Sequence, residues 1–269
     1  NKKATVELIA VDKYLSGTAN STLTEDQITV SVDGDENANT KIEKQLSNPE
    51  YSTNQTTGLK EIKYTLTLTN WEESSKQTGK DYFEYSGTTK IKIAEGTITD
   101  DNTNKSKEKE FTLGHVDFIK PKIEKVSSSK NDTDKTETIT FNVIDKYLDT
   151  SKQMTADDIT VYVDGEEANT VTKTLTRVTA NDVSETINGK SQIVSQQYQL
   201  VLSDFEQART SINYDREYSD WSGTVSIDIA ESAIKDTSGN TIDENTTTVD
   251  GNFVDFINPN VTYEYVEGD

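Results

Sequence analysis

The sequence predicts an all-β protein built from two tandem antiparallel β-sandwiches. Three observations support this fold class. Segments of the first half recur, in the same order, in the second half. Most of these segments alternate apolar and polar residues, and residues typical of turns separate them. The length of 269 residues suits two domains of ordinary size.

The repeat begins with the tetrapeptide "DKYL", at 12–15 and again at 145–148. The matching segments that follow are "ITVSVDG" and "ITVYVDG" (28–34 and 159–165), "YTLTLTNWE" and "YQLVLSDFE" (64–72 and 198–206), "YSGTTKIKIAE" and "WSGTVSIDIAE" (85–95 and 221–231), and "VDFIKP" and "VDFINP" (116–121 and 254–259). A shared order of matches indicates a tandem duplication, with length differences confined to the segments between them.

The matched segments have the two-residue period of strands that bury one face. In chain order the predicted inward residues are Val6, Leu8 and Ala10 with Ile139, Phe141 and Val143; Ile28, Val30 and Val32 with Ile159, Val161 and Val163; Tyr64, Leu66 and Leu68 with Tyr198, Leu200 and Leu202; Ile91 and Ile93 with Ile227 and Ile229; and Val116 and Phe118 with Val254 and Phe256. Each copy thus holds about seven short strands, as an antiparallel sandwich requires.

One short helical turn is expected in each copy. Thr69 with Glu72, and Ser203 with Glu206, have the spacing of a capping box directly after a strand. The pattern predicts surface helical turns over 69–77 and 203–211.

The predicted domains are 1–121 and 122–258, with 259–269 as a tail or the start of a further repeat. The stretch "KIEKVSSSKNDTDKTET" precedes the first matched strand of copy two, whereas copy one has only "NKKA" in that place. We therefore expect the first strand segment of copy one to be truncated. The tail "NPNVTYEYVEGD" begins like "KPKIEKVSSSKN", with a Pro followed by alternating apolar residues.

Composition excludes several classes of function. Lys and Arg number 27 against 48 Asp and Glu, a net charge of −21 that repels nucleic acid and anionic membranes. No apolar stretch reaches the roughly 18 residues of a membrane span, so no membrane insertion is expected. Since the chain has no Cys, it has neither disulfides nor thiolate metal sites.

Catalysis is not expected. The single histidine, His115, aligns with Phe253 in the second copy, which favours a packing position over a general base. No nucleophile elbow, phosphate-binding loop, HExxH or GxGxxG motif occurs. Carboxylate pairs for glycoside hydrolysis stay open among so many acids, but no pattern singles one out.

The repeated motifs "DKYL", "ITVxVDG", "SGT", "IAE" and "VDFIxP" resemble the bacterial immunoglobulin-like (Big-type) tandem repeats of large cell-surface proteins of Firmicutes. The resemblance covers nearly the whole chain. It departs from the pattern at the insertion-rich segments 48–62 and 178–192, and at "DDNTN", where copy two has "DTSGN". It implies two Ig-like sandwich domains with a stalk or adhesive role outside the cell, in some members with calcium at the joints.

Duplicated acids are the candidate calcium ligands. They end strands, occupy one loop or precede the joint: Asp12 and Asp145, Glu95 and Glu231, Asp100 and Asp236, and Asp117 and Asp255. If strand ends and joint residues meet at one pole of a sandwich, these carboxylates would repel one another unless a cation lay between them. The alternative is that they are ordinary turn and strand-ending residues. "DGDENAN" at 33–39 lacks the glycine of a calcium loop and predicts only a turn.

Two further hypotheses concern lysines and aromatics. The family resemblance raises an isopeptide cross-link at Lys13 and Lys146, against the alternative of exposed lysines beside a buried Tyr or Leu. Trp71 and Trp221, which align with Phe205 and Tyr85, are either core residues or a ligand platform.

The functional expectation is a non-catalytic spacer in an extracellular bacterial surface protein, presenting a distal domain. Its partners would be neighbouring Ig-like repeats of the same chain. The alternative is an adhesin module that binds a host glycan or protein through the variable loops 48–62 and 178–192.

Overall fold

The computed structural model describes residues 2–15, 22–71, 85–206, 221–259 and 261. The fold is all-β, as predicted, and its strands pair antiparallel. The chain divides into two compact units: unit 1 comprises 1–119 and 186–190, and unit 2 comprises 120–185 and 191–269. Among the described residues, no helix is long and apolar enough to cross a bilayer.

Unit 1 contains two antiparallel sheets. In one, β1 and β3 flank β5, and β4 pairs with β5 further along: β1 (Ala4–Asp12), β3 (Glu43–Leu46), β4 (Glu50–Thr53) and β5 (Lys60–Thr69). In the other, β6 lies between β2 and β7: β2 (Ile28–Val32), β6 (Gly87–Ile93) and β7 (Lys109–Val116). A four-residue helix, α1 (Ala38–Lys41), connects β2 to β3.

The core of unit 1 forms where the predicted strand faces meet. Leu8 on β1 faces Tyr64 on β5, and both are buried. Ile28 and Val30 on β2 are fully buried beside Ile91 of β6. Because side chains alternate across a strand, one face of each sheet supplies this core while the other carries Thr, Lys and Glu.

Unit 2 repeats this plan with additional strands. One sheet has the order β11-β10-β15-β16: β10 (Ile159–Val163), β11 (Glu166–Glu167), β15 (Gly223–Ile229) and β16 (Thr248–Val254). The other has the order β12-β14-β9-β8, with β13 also paired to β14: β8 (Lys122–Asn131), β9 (Thr136–Ile144), β12 (Thr172–Arg177), β13 (Val183–Ile187) and β14 (Lys190–Ser203). Strand β9 takes the place that β1 has in unit 1.

Among the described residues, the core of unit 2 contains more buried residues than that of unit 1. Ile139, Phe141 and Val143 of β9 are fully buried, and the ring of Phe141 stacks on Tyr198 at 5.8 Å. The alternation that predicted these strands is therefore confirmed in both units.

Short helical turns occur in both units at positions that the sequence did not predict. The segments 69–77 and 203–211 lie largely outside the described residues; their first residues, Thr69 and Ser203, end strands β5 and β14. Capping boxes instead open two 3₁₀ turns, at Glu25–Gln27 after Thr24 and at Ala156–Asp158 after Thr155.

Candidate functional site

A five-residue loop with one conserved hydrogen-bond pattern occurs in both units. In unit 2, Asp236 Oδ1 accepts the N–H groups of Ser238 and Asn240, both at 2.8 Å, and its Oδ2 accepts from Asn240 Nδ2. In unit 1, Asp100 Oδ1 accepts the N–H groups of Asn102 and Asn104, also at 2.8 Å. The first and last residues of "DDNTN" and "DTSGN" thus tie the loop together.

The fourth residue of this loop explains the difference between the two sequences. Thr103 has a φ of 69°, and Gly239 at the same place has a φ of 90°. Glycine adopts this left-handed conformation without strain, whereas threonine does so at a cost. Unit 1 therefore keeps the loop although it lacks the glycine.

In unit 2, the "DKYL" turn brings a second acid to the loop. Asp145 follows the last residue of β9, and its Oδ1 accepts the N–H of Tyr147 at 2.6 Å. The carbonyl of Tyr147 accepts the N–H of Thr237, and Leu148 forms an isolated antiparallel β-bridge with Asp236. As a result the carboxylates of Asp145 and Asp236 lie within 4.8 Å of each other, and both residues are 2% exposed.

Unit 1 builds the same turn in a more open form. Asp12 Oδ1 accepts the N–H of Tyr14 at 2.7 Å, and the backbone carbonyl of Tyr14 accepts the N–H of Asp101. Asp12 is exposed and Asp100 half-buried, and both line a cavity of about 250 Å³. The hydrogen bond from the Asn104 side chain lowers the pKa of Asp100. Asp100 therefore stays ionised and bonded to the loop at neutral pH.

Two of the other predicted metal ligands, Glu231 and Asp255, do not join the Asp145–Asp236 pair within unit 2. Glu231 and Asp255 are exposed, and so is Glu95 in unit 1. Asp117, at the end of unit 1, is 9% exposed, and its Oδ1 accepts the N–H of Ile119 at 3.0 Å. Since the carboxylates described above already accept loop N–H groups, the turn interpretation accounts for their conservation between the repeats. Calcium binding stays a prediction.

The lysines of the cross-link hypothesis each lie near the ring of the neighbouring tyrosine, and the cross-link stays a prediction. Lys13 is exposed and Lys146 half-buried, and their ammonium groups lie 5.2 and 5.3 Å from the ring centres of Tyr14 and Tyr147. The conserved apolar anchor of "DKYL" is the leucine: Leu15 and Leu148 are 4% and 6% exposed.

The tryptophans are core residues, which corrects the ligand-platform hypothesis. Trp71 and Trp221 are each 1% exposed. Trp71 Nε1 donates to the carbonyl of Leu68, and Trp221 Nε1 donates to Thr170 Oγ1 at 2.6 Å. A buried indole with a satisfied N–H has no face left for a ligand.

The packing prediction for His115 is also wrong. His115 and the aligned Phe253 both lie on the outer face of a strand, and Phe253 is 62% exposed. His115 Nε2 lies 3.8 Å from Asp117 Oδ2.

Sequence reasoning missed a contact that occurs in both units. The turn "VDG" has positive φ at Asp33 and Gly34, as a tight hairpin requires. Asp33 Oδ1 accepts the N–H of Thr88 at 2.9 Å, and a Cβ added to Gly87 would lie 2.1 Å from Asp33 Oδ2. We call this contact the Asp–Gly lock.

Unit 2 has the same lock. Asp164 Oδ1 accepts the N–H of Thr224 at 2.7 Å, and a Cβ on Gly223 would lie 2.2 Å from Asp164 Oδ2. The signal in the sequence was the joint recurrence of "VDG" and "SGT" in both copies.

The variable loops are largely paired strands. The segment 48–62 contains β4 and the start of β5, and 178–192 contains β13 and the start of β14. Residues 186–190 belong to unit 1, where Asn188 Nδ2 donates to Asp33 Oδ1 at 2.7 Å. Residues 186–190 and the turn of the Asp–Gly lock thus belong to the same unit.

The comparisons with known proteins add no identification. No protein-family model matches the chain, and no curated protein matches it.

Proposed function

We propose that the chain is a pair of non-catalytic structural modules from a repetitive extracellular bacterial surface protein, where they act as a spacer that presents a distal domain. The observation that carries this proposal is the use of the duplicated residues. The repeated Asp loops, the Asp–Gly locks and the aromatic positions all serve turns and cores in both units. Residues kept in both copies for the fold alone are what a spacer requires.

Pulling on the chain by its two ends in a force spectrometer tests this role. Unit 1 has 124 residues and unit 2 has 145. Since an extended residue contributes at most about 3.5 Å, unfolding should release about 40–50 nm of chain per unit. A spacer gives two such events at measurable force. Extension without resistance would contradict the proposal.

The location outside the cell rests on the resemblance of the repeats to surface proteins. Antibodies raised against this chain should label intact cells that carry the parent protein. Labelling that requires permeabilised cells would exclude the extracellular role.

An adhesin is the second candidate, supported by a cleft in unit 1 next to the variable segment 48–62. The cleft encloses about 760 Å³ and is lined by residues 22–26 and by Lys44, Leu46, Ser47, Asn48 and Pro49. Lys44 Nζ donates hydrogen bonds to the Ile28 carbonyl and to Asn39 Oδ1, and burial lowers the pKa of Lys44.

Glycan and host-protein arrays probed with the chain test the adhesin function. Binding that Asn48→Trp abolishes would favour it, because the larger side chain fills the cleft. Binding that is equal in the variant would exclude this cleft.

A further inference from the structure

The cleft of unit 1 and an ion pair of unit 2 lie at equivalent positions of their own units. Lys44 on β3 and Lys173 on β12 are counterparts, because each Nζ donates to the carbonyl of the first residue of β2 or β10. Asn48, four residues after Lys44, lines the cleft. Its counterpart, four residues after Lys173, is Arg177.

Unit 2 fills this position with a guanidinium. Arg177 Nη2 donates to Asp182 Oδ2, and the two side chains are only 11% and 10% exposed. Arg177 pairs with Tyr198 across β12 and β14. Burial raises the pKa of Tyr198, whereas the charge of Arg177 lowers it, so the guanidinium acts directly on this hydroxyl.

Unit 1 has the same surroundings without the arginine. The N–H of Leu23 donates to the Tyr64 hydroxyl at 3.1 Å, and the backbone of Met154 bonds to Tyr198 in the same way. Asn48 is exposed, and the cleft beside it encloses about 760 Å³. Unit 1 therefore leaves open the position that an arginine fills in unit 2.

The wall of the cleft carries two carboxylates. Glu25 and Asp26 belong to the 3₁₀ turn before β2, and both are exposed. Glu25 Oε1 accepts the N–H of Leu46 at 2.8 Å, which holds this carboxylate at the cleft. The counterpart of Glu25 is Ala156, so unit 1 has an additional acid where it lacks the arginine.

The charge of the cleft favours a cation. The ammonium of Lys44 also lies at the cleft, but it already donates to two oxygens of unit 1. A cation that enters meets the carboxylates of Glu25 and Asp26, and the net charge of −21 attracts it over longer distances.

We propose that the cleft binds an arginine side chain of a partner protein, whose guanidinium takes the position that Arg177 has in unit 2 and pairs with Glu25. This inference rests on the adhesin alternative and names the chemistry of its partner, an exposed arginine in a basic segment. A guanidinium forms two parallel hydrogen bonds with a carboxylate and is more weakly hydrated than an ammonium, so arginine is preferred to lysine.

An NMR titration of the isotope-labelled full chain at low salt is the first test. The probe is the peptide Gly-Ser-Arg-Ser-Gly, blocked at both ends, and its controls carry lysine or citrulline in place of arginine. The backbone amide signals of 22–26 and 44–48 should shift with the arginine peptide. Citrulline has the shape of arginine without its charge and should bind about tenfold more weakly. Unshifted signals, or equal binding of citrulline, would overturn the proposal.

Variants locate the bound guanidinium. Asn48→Arg copies unit 2 and should abolish binding, because its own side chain fills the cleft. Glu25→Gln keeps an oxygen for the Leu46 N–H but removes the charge, so binding should weaken about threefold to fivefold. Glu43→Gln is the matched control, since Glu43 is an exposed acid of β3 outside the cleft lining. Equal effects of the two Gln variants would mean general charge attraction and refute the site, even if Asn48→Arg fails to fold.

Host-protein arrays separate this inference from the adhesin function. Array binding that Asn48→Arg and Glu25→Gln both leave unchanged would refute the arginine site and keep the adhesin. An arginine peptide that shifts the cleft signals, together with a chain that binds no arrayed protein, would support the site and count against the adhesin.

Discussion

The Asp–Gly lock makes the substitution Gly87→Ala strongly destabilising to unit 1. Gly87 has a φ of 146°, a conformation that side chains rarely adopt, and its added Cβ would lie 2.1 Å from the Asp33 carboxylate. Backbone strain costs about 1–3 kcal/mol. Moving Asp33 removes the acceptor of the Thr88 N–H, a further cost of about 1–3 kcal/mol.

The expected total is about 2–6 kcal/mol, a large share of the roughly 5–15 kcal/mol that stabilises a typical domain. For a unit of this size, at about 4 °C per kcal/mol, the midpoint of thermal unfolding should fall by roughly 8–24 °C. Gly58→Ala is the control: Gly58 has a φ of 70° but no atom within 4 Å of the added Cβ. Its cost is therefore that of strain alone.

The two tryptophans allow each unit to be followed separately. Trp221→Tyr, which copies the residue at Tyr85, leaves Trp71 as the only indole and reports unit 1. Urea unfolding monitored by its fluorescence gives the free energy. If Gly87→Ala costs no more than Gly58→Ala, the collision with the carboxylate is not the cause.

A double-mutant cycle isolates the collision. In an Asp33→Gly background no carboxylate lies near position 87, so Gly87→Ala should cost only its backbone strain. A penalty that is unchanged in this background would refute the lock. Gly223→Ala, opposite Asp164, should repeat the result in unit 2.

Three further predictions follow. Tyr64→Phe should destabilise unit 1 by about 1–2 kcal/mol in urea, because its buried hydroxyl accepts a backbone N–H. Burial raises the pKa of Tyr64, so the hydroxyl stabilises unit 1 fully below about pH 10, and this stabilisation is lost as pH rises through the raised pKa. If Tyr64→Phe loses as much stability at alkaline pH as the wild type does, this prediction is contradicted. Asn188→Ala should lower the midpoint reported by Trp71, and an unchanged midpoint would mean that the hairpin tip adds no stability to unit 1. If calcium binds, the midpoint of thermal unfolding should be higher in millimolar calcium than in EDTA or magnesium. Asp236→Asn should remove this rise, and Asp100→Asn should keep it. Equal midpoints in all conditions would mean that these acids are turn residues.

The strands could be predicted because side chains alternate between the two faces of a strand, so burial of one face gives the sequence a two-residue period of apolar residues. Alternation placed Leu8 and Phe141 on inner faces, and both are buried. The same reasoning is wrong for Phe253: an aromatic residue at a strand position suggests a core residue, but Phe253 lies on the outer face. Strand propensity rewards aromatics on either face of a sheet, so residue type alone does not assign the face.

Contacts between distant segments could not be predicted from local pattern. Gly87 is required by Asp33 on another strand, and no local feature of "YSGT" names that partner. The hairpin tip at 186–190 has the turn residues Asn188 and Gly189, which predict a turn but not the surface it meets. Ligand binding by 178–192 stays a prediction, and the tip of this segment, 186–190, is part of unit 1.

A buried acid present in only one unit illustrates the same limit. Glu137 on β9 is fully buried, and its Oε1 accepts the N–H and the Nδ2 of Asn252, both at 3.0 Å. Leu202 faces Glu137 as Leu68 faces Ala4, and Gly114 aligns with Asn252, so unit 1 replaces both members of the pair.

A carboxylate without donors would be costly in this core, and the donors would lack an acceptor without it. The two positions therefore change together. Neither strand alone reveals this constraint, because a Glu on an inner face contradicts the period of β9 unless its partner is known. Residues that are the same in both copies identify what the fold requires in each unit. Pairs of contacting residues that differ together between the copies, such as Glu137 and Asn252, identify contacts that are specific to one unit.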